Sequence, residues 1–146
     1  MESSLKSWND KWPYLIPISG DAVPAEVISL LHKIADEEYD MDRIIEAISA
    51  GHLMLWQIAP ETWLLVEIQG KDMQHRILWV WTVLGKNLRE APENAKRIAS
   101  IEKCISVRGE VDTDLFERMW TKAGSRKRSM VMEFDMKDWD GNEQKE

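Results

Sequence analysis

The spacing of apolar residues changes once along the chain, from a helical period to a strand period. Between residues 27 and 34 apolar side chains recur at i, i+3, i+4 and i+7, which predicts a helix over residues 21–38 with Asp21 as its N-cap. The same spacing recurs between residues 41 and 48 and predicts a second helix that begins near Asp40 and ends at Gly51.

Three strand-length apolar runs follow, separated by short polar segments, which predicts an antiparallel meander. They occupy residues 52–58, 62–69 and 76–84. The third run is apolar in both phases of a strand, with Trp79 and Trp81 in one phase and Leu78 and Val80 in the other. This pattern predicts a central strand with helices on both sides of the sheet.

The remaining segments complete an α/β pattern. Pro13 and Pro17 favour an edge position for a first strand over residues 11–20. After the meander we predict a helix over 92–103, a strand over 104–110, a helix over 114–123 and a strand over 129–136, and the basic run at 125–129 is interpreted as a hairpin turn. The sequence therefore predicts one domain over residues 12–137, a flexible N-terminus over 1–11 and a flexible acidic tail over 138–146.

Composition and charge narrow the classes of partner. The chain is 44% hydrophobic and 31% charged, as globular proteins are. Its formal net charge of −7 argues against nucleic acid or an anionic membrane as partner. Its longest apolar run, about eight residues, is far shorter than the roughly twenty that span a bilayer. No signal peptide is visible and Cys104 is the single cysteine, so we expect a cytoplasmic protein.

Few residues suggest catalytic or metal chemistry. The three histidines stand apart, so no metal site is predicted, and Cys104 is interpreted as a small core residue. Glu67 interrupts an apolar strand, where a carboxylate is costly unless it faces water, a cavity or a cation. Two interpretations stay open: Glu67 faces solvent, or it lines a cleft as a general base.

Tryptophan is abundant, with eight residues in 146. Four tryptophans lie in core phases and are predicted to be packing residues: Trp56, Trp79, Trp81 and Trp120. Three others flank the predicted domain and are candidates for docking a protein partner: Trp8, Trp12 and Trp139.

The middle of the chain resembles small phage-encoded proteins with a GNAT-like (N-acetyltransferase-like) fold. The likeness depends on the order of the elements and on four short phrases: Leu55-Trp56, Val66-Glu67-Ile68, Val80-Trp81 and residues 85–88. It extends over residues 14–136. The resemblance implies a mixed, mostly antiparallel twisted sheet of about six strands with helices on both faces, in which two neighbouring strands splay apart.

In such a fold acyl-coenzyme A lies in the splay, with its pyrophosphate held by backbone N–H groups at the turn after the central strand. The resemblance therefore implies acetyl-CoA or another acyl-CoA as cofactor, bound here by five consecutive residues: Val83, Leu84, Gly85, Lys86 and Asn87. This turn has one glycine where active members have two or more. The predicted last helix also has no tyrosine to protonate the departing thiolate.

Two functional hypotheses follow from the resemblance. In the first, the protein is an acyl-CoA-dependent N-acyltransferase in which Glu67 deprotonates the amine of a small molecule or a protein. In the second, it is a non-catalytic phage protein that keeps the fold and binds a virion or host protein. The implied location is the host cytoplasm or the virion.

Overall fold

A computed structural model describes residues 14–34, 41–70, 72, 74–110, 126–128 and 131–139. Contacts divide the chain into two compact units. The first comprises Met1–Val66 with Thr82–Leu88, and the second comprises Glu67–Trp81 with Arg89–Glu146. The single domain and the flexible ends expected from the sequence stay predictions.

The described residues include three α-helices: α1 (Ala25–Ile34), α2 (Met41–Ser49) and α3 (Ala91–Ile101). There are also three short 3-10 turns: Gly20–Ala22, Leu88–Glu90 and Met136–Asp138. The prediction that the first helix begins at Asp21 is wrong, because Asp21 lies in a 3-10 turn. Val23 has extended backbone angles (φ −65°, ψ 121°), as expected of a residue that precedes a proline, and α1 begins only after Pro24. The predicted helix over 114–123 lies outside the described residues.

Seven strands form one sheet in the order β1-β2-β3-β4-β5-β7-β6. Their bounds are β1 (Ile16–Ile18), β2 (Met54–Ala59), β3 (Thr62–Gln69), β4 (Ile77–Gly85), β5 (Ser106–Glu110), β6 (Arg126–Arg128) and β7 (Val131–Asp135). β4 and β5 are parallel, whereas β1–β2, β2–β3, β5–β7 and β6–β7 are antiparallel. The predicted α/β class with a mixed, mostly antiparallel sheet is confirmed. The sheet has one strand more than expected, because β6 forms within the basic run interpreted as a turn.

In the first unit, the helical stripes of α1 and α2 cover β2 and β3. The buried cluster consists of Val27, Leu31, Ile48, Leu55, Trp63, Leu65 and Leu84. Trp63 and Leu65 are two residues apart on β3 and so share a face of the strand. Each fully buried leucine contributes about 1.5–3 kcal/mol relative to an exposed one, so the burial of this cluster stabilises the unit.

In the second unit, the strand register separates an apolar face from a polar one. Directly paired residues share a face of a sheet. The apolar set comprises Leu78, Val80, Val107, Met132 and Phe134, all of them buried. Helix α3 packs on this face, where Lys96 Nζ lies 4.6 Å from the centre of the Phe134 ring. The polar face carries three directly paired residues: Trp79 of β4, Arg108 of β5 and Glu133 of β7.

The tryptophan-rich run is the central strand, since β4 is the fourth of seven. The prediction of Trp81 as a core residue is nevertheless wrong: its side chain is 44% exposed. The parallel pairing joins residues 77–80 of β4 to 106–109 of β5, and Trp81 follows the last of these pairs. Strand phase predicts which way a side chain points but not whether other elements cover it. Trp56 is buried as predicted, and Trp8, Trp12 and Trp120 lie outside the described residues.

Candidate functional site

The turn after β4 lies directly against the β2–β3 hairpin. Gly85 has φ +116°, and a Cβ added to it would lie 1.9 Å from the carbonyl oxygen of Glu61. This position requires glycine for two reasons. The φ angle is one that L side chains rarely adopt, and the neighbouring backbone occupies the space of a side chain. The turn is therefore fixed by its contact with residues 60–62.

The backbone N–H groups of this turn already have acceptors within the protein. Lys86 N donates to the carbonyl oxygen of Glu61 at 3.1 Å, and Asn87 N donates to Thr62 Oγ1 at 2.9 Å. Thr62 is fully buried and its hydroxyl donates in turn to the carbonyl oxygen of Pro60 at 3.0 Å. The side-chain amide of Asn87 donates to the same oxygen at 3.2 Å. We call this set of contacts between residues 60–62 and 85–87 the hairpin latch.

The charge of Lys86 is also paired with a group of the latch. Its Nζ lies 3.0 Å from Glu61 Oε2, and both side chains are exposed. The hydrogen bond to Glu61 raises the pKa of the Lys86 ammonium above its ordinary value. An exposed pair of this kind adds little to stability. Its consequence here is that the nearest positive charge to the turn faces a carboxylate.

These contacts do not fit a pyrophosphate cradle. A phosphate bound by a turn needs backbone N–H groups that point at it without another acceptor. The N–H groups of Lys86 and Asn87 point instead at Glu61 and Thr62. The first turn of α3 is no better suited, because Pro92 lacks an N–H and Glu93 brings negative charge to the helix N-terminus.

The five predicted cofactor-binding residues thus lie in different surroundings. Leu84 is buried in the cluster of the first unit, and Val83 is partly buried. Gly85, Lys86 and Asn87 belong to the hairpin latch. Acyl-CoA binding by these five residues stays a prediction. The roles of Pro60, Glu61 and Thr62 could not be predicted from the sequence, because the only signal there is a Pro-Glu pair between two strands.

Glu67 forms a second candidate site with an exposed aromatic residue. Its side chain is partly buried, and Trp81 Nε1 donates to Glu67 Oε1 at 3.0 Å. Gln69 Nε2 donates to the same oxygen at 3.4 Å. Within the part of the chain that the structure describes, Glu67 Oε2 has no hydrogen-bond partner. Trp81, which strand phase predicts to be a core residue, thus lies beside Glu67. Catalysis by Glu67 stays a prediction.

A third cluster surrounds the single cysteine. Arg76 Nε donates to the carbonyl oxygen of Glu102 at 3.0 Å, and Arg76 Nη2 lies 3.6 Å from Glu102 Oε1. Burial raises the pKa of the Cys104 thiol, and Arg76 opposes this only in part. A buried thiol with a raised pKa is a poor nucleophile, in keeping with its predicted packing role.

The described residues contain neither a metal site nor a membrane-spanning helix. Among residues 14–34, 41–70, 72, 74–110, 126–128 and 131–139, no group of three or more His, Cys, Asp or Glu side chains could hold a metal ion. Within the same ranges, no helix has both the length and the apolar character needed to cross a membrane.

Comparisons with known proteins identify the fold. The sequence matches no protein-family model and no curated protein sequence. Solved structures do match. A GNAT-family acetyltransferase from Listeria monocytogenes 4b F2365 aligns with a TM-score of 0.50 at 8% identity, over 75% of this chain and 83% of that one. The chain has a GNAT-like fold.

Two further solved structures show the same likeness. AtaTR bound with AcCoA aligns with a TM-score of 0.54 at 7% identity, over 84% of this chain and 92% of that one. A tyrosine-to-phenylalanine mutant of the toxin AtaT, bound to the C-terminus of the antitoxin AtaR, aligns with a TM-score of 0.55 at 6% identity. The alignment covers 84% of this chain and 91% of that one. At these identities the likeness shows the fold alone.

Proposed function

We propose that this chain keeps a GNAT-like fold without acyl-CoA chemistry and acts as a protein-binding component. The observation that carries the proposal is the hairpin latch. In the latch, the N–H groups of Lys86 and Asn87 donate to acceptors within the protein. They belong to the turn where the fold would hold a pyrophosphate.

Two further observations favour a protein as the partner. Large apolar side chains are exposed around the edge strand β1, with Tyr14 77% and Ile16 44% exposed. The solved structure of AtaT with the C-terminus of AtaR gives an example of a protein of this fold that binds another protein chain. The sequence resemblance to phage-encoded proteins supports a virion or host protein as the partner here, and the host cytoplasm or the phage particle as the location. No nucleic acid is expected as partner, given the net charge of −7.

Titration with acetyl-CoA tests the proposal. We expect no saturable heat in calorimetry and no rise in the melting temperature at millimolar acetyl-CoA. Coenzyme A is titrated separately as a second ligand. An acetyltransferase of the same fold with a solved structure serves as the positive control. Micromolar binding corresponds to about 8 kcal/mol. A ligand held at a hundred times its Kd would stabilise the folded protein by about 2.7 kcal/mol, which a thermal shift detects easily.

Saturable micromolar binding would overturn the proposal and restore the acyltransferase hypothesis. Acyl transfer from acetyl-CoA to an amine would then be measured against pH for the unmodified protein and for Glu67→Gln. A loss of rate at neutral pH in the variant, with unchanged cofactor affinity, would assign the general base to Glu67.

A further inference from the structure

We propose that the edge strand β6 is the site where an extended, acidic segment of the partner protein adds to the sheet as a further strand. This inference rests on the proposed protein-binding function and adds the chemistry of the partner. It starts from the composition of β6, whose three residues Arg126–Arg128 are all basic in a chain with a formal net charge of −7.

Strand β6 occupies one edge of the sheet. It is the last strand in the order β1-β2-β3-β4-β5-β7-β6, and among the described residues it pairs with β7 alone. In an antiparallel pair the N–H and C=O groups of alternate residues point away from the neighbouring strand. An edge strand therefore presents main-chain donors and acceptors to which an extended chain can bind.

The two edges of the sheet differ in their ability to accept a strand. β1, at the other edge, has Pro17 at its centre, which supplies no N–H and disfavours strand addition. β6 contains no proline, so each of its residues keeps its N–H. If two copies of β6 paired with each other, every facing pair would be basic, and like charges on facing strands repel. The same charges favour a strand that carries carboxylates.

The register inside the sheet shows the order of charges that an added strand would continue. Arg108 of β5 pairs directly with Glu133 of β7, and Glu133 pairs directly with Arg126 of β6. Arg108 Nε donates to Glu133 Oε2, so the first two members of this row form an ion pair. Basic and acidic residues thus alternate across three neighbouring strands. An acidic residue opposite Arg126 would extend this alternation, because opposite charges at facing positions stabilise strand pairing.

The shortness of β6 sets the sequence that its ligand needs. A strand of three residues has few outward main-chain groups, and each hydrogen bond contributes little net affinity. Selectivity therefore depends on the charge pairs. Because each of the three residues of β6 is basic, the added strand needs acidic residues at three consecutive positions to oppose them all. The inferred ligand is an extended segment with such an acidic triplet between β-forming residues.

NMR titration of the full chain with synthetic peptides tests this inference. The probe is the blocked peptide Thr-Val-Glu-Glu-Glu-Val-Thr, which should shift the backbone amide resonances of residues 126–128 along a saturable curve. Replacing its glutamates by glutamine should weaken binding about tenfold, because every facing pair of opposite charges is lost. Methylating the backbone nitrogens of the glutamates keeps the charges but removes main-chain donors, and should weaken binding at least about fivefold.

Two double variants of equal net charge separate β6 from the overall charge of the chain. Arg126→Gln combined with Arg128→Gln should weaken binding of the acidic peptide at least about threefold. Lys33→Gln combined with Arg43→Gln removes two exposed positive charges on α1 and α2 and should leave binding unchanged. The melting temperature of each variant without peptide shows that it is folded. If the β6 variant does not fold, the peptide series on the unmodified protein decides the inference.

Resonances of residues 126–128 that do not move with the acidic peptide would overturn the inference. Equal binding of the methylated peptide would also overturn it, because charge alone would then account for the contact. A short oligothymidylate that binds at these residues more tightly than the peptide would do the same and would point to nucleic acid. None of these results bears on the titration with acetyl-CoA, so a failure of this inference is distinguishable from a failure of the proposed function.

Discussion

Replacing Gly85 by alanine is expected to lower the free energy of unfolding by about 4 kcal/mol. Two costs add. A φ of +116° is strained for any L side chain, at about 1–3 kcal/mol. The new Cβ would also lie 1.9 Å from the carbonyl oxygen of Glu61, so that β4 or the hairpin must move. Urea unfolding monitored by circular dichroism measures the loss.

Gly51 provides the matched control. It also has a positive φ, +82°, but a Cβ added there meets no atom within 4 Å. Gly51→Ala should therefore cost only the backbone term, about 1 kcal/mol. Equal losses in the two variants would contradict the close contact between Gly85 and the hairpin.

Replacing Thr62 by valine should lower the free energy of unfolding by about 2 kcal/mol. Valine keeps the shape of threonine but has no hydroxyl. It therefore removes the acceptor of the Asn87 N–H and the hydrogen bond to the Pro60 carbonyl oxygen. Because Thr62 is fully buried, water does not replace these partners without rearrangement. Urea unfolding gives the loss of stability, and amide hydrogen exchange followed by NMR should show faster exchange at Asn87.

Thr62→Ser is the control for this substitution. It keeps the hydroxyl and removes one methyl group, at about 1 kcal/mol. Exchange at Asn87 should stay slow in the serine variant. A valine variant as stable as the unmodified protein, with slow exchange at Asn87, would show that the hydroxyl does not hold the turn.

The sequence predicts a local element well where an apolar run is bounded at both ends by turn residues. β3 is found at the predicted residues because its apolar run lies between a Pro-Glu turn and Gly70. The run at residues 76–84 predicts a central strand because it is apolar in both phases, and β4 is the fourth strand of seven. The fold class follows from the order of such elements.

The hairpin latch could not be predicted, because it joins residues that are about 25 positions apart in sequence. Asn87 and Thr62 carry no pattern that pairs them, and the glycine at position 85 is equally compatible with a phosphate-binding turn. The exposure of Trp81 could not be predicted for a related reason. Strand phase is a local property, whereas burial depends on neighbouring elements. Glu67 is recognisable in the sequence as a lone carboxylate in an apolar strand, but its tryptophan partner lies on another strand.

Amide hydrogen exchange at Lys86 and Asn87 in the unmodified protein, followed by NMR with and without acetyl-CoA, tests the hairpin latch most directly. If Glu61 and Thr62 accept these two N–H groups, both should exchange at least about a hundredfold more slowly than in an unfolded chain, and acetyl-CoA should not change the rates. Exchange at the unfolded rate without ligand, slowed when acetyl-CoA is added, would show that the turn is open and binds the cofactor.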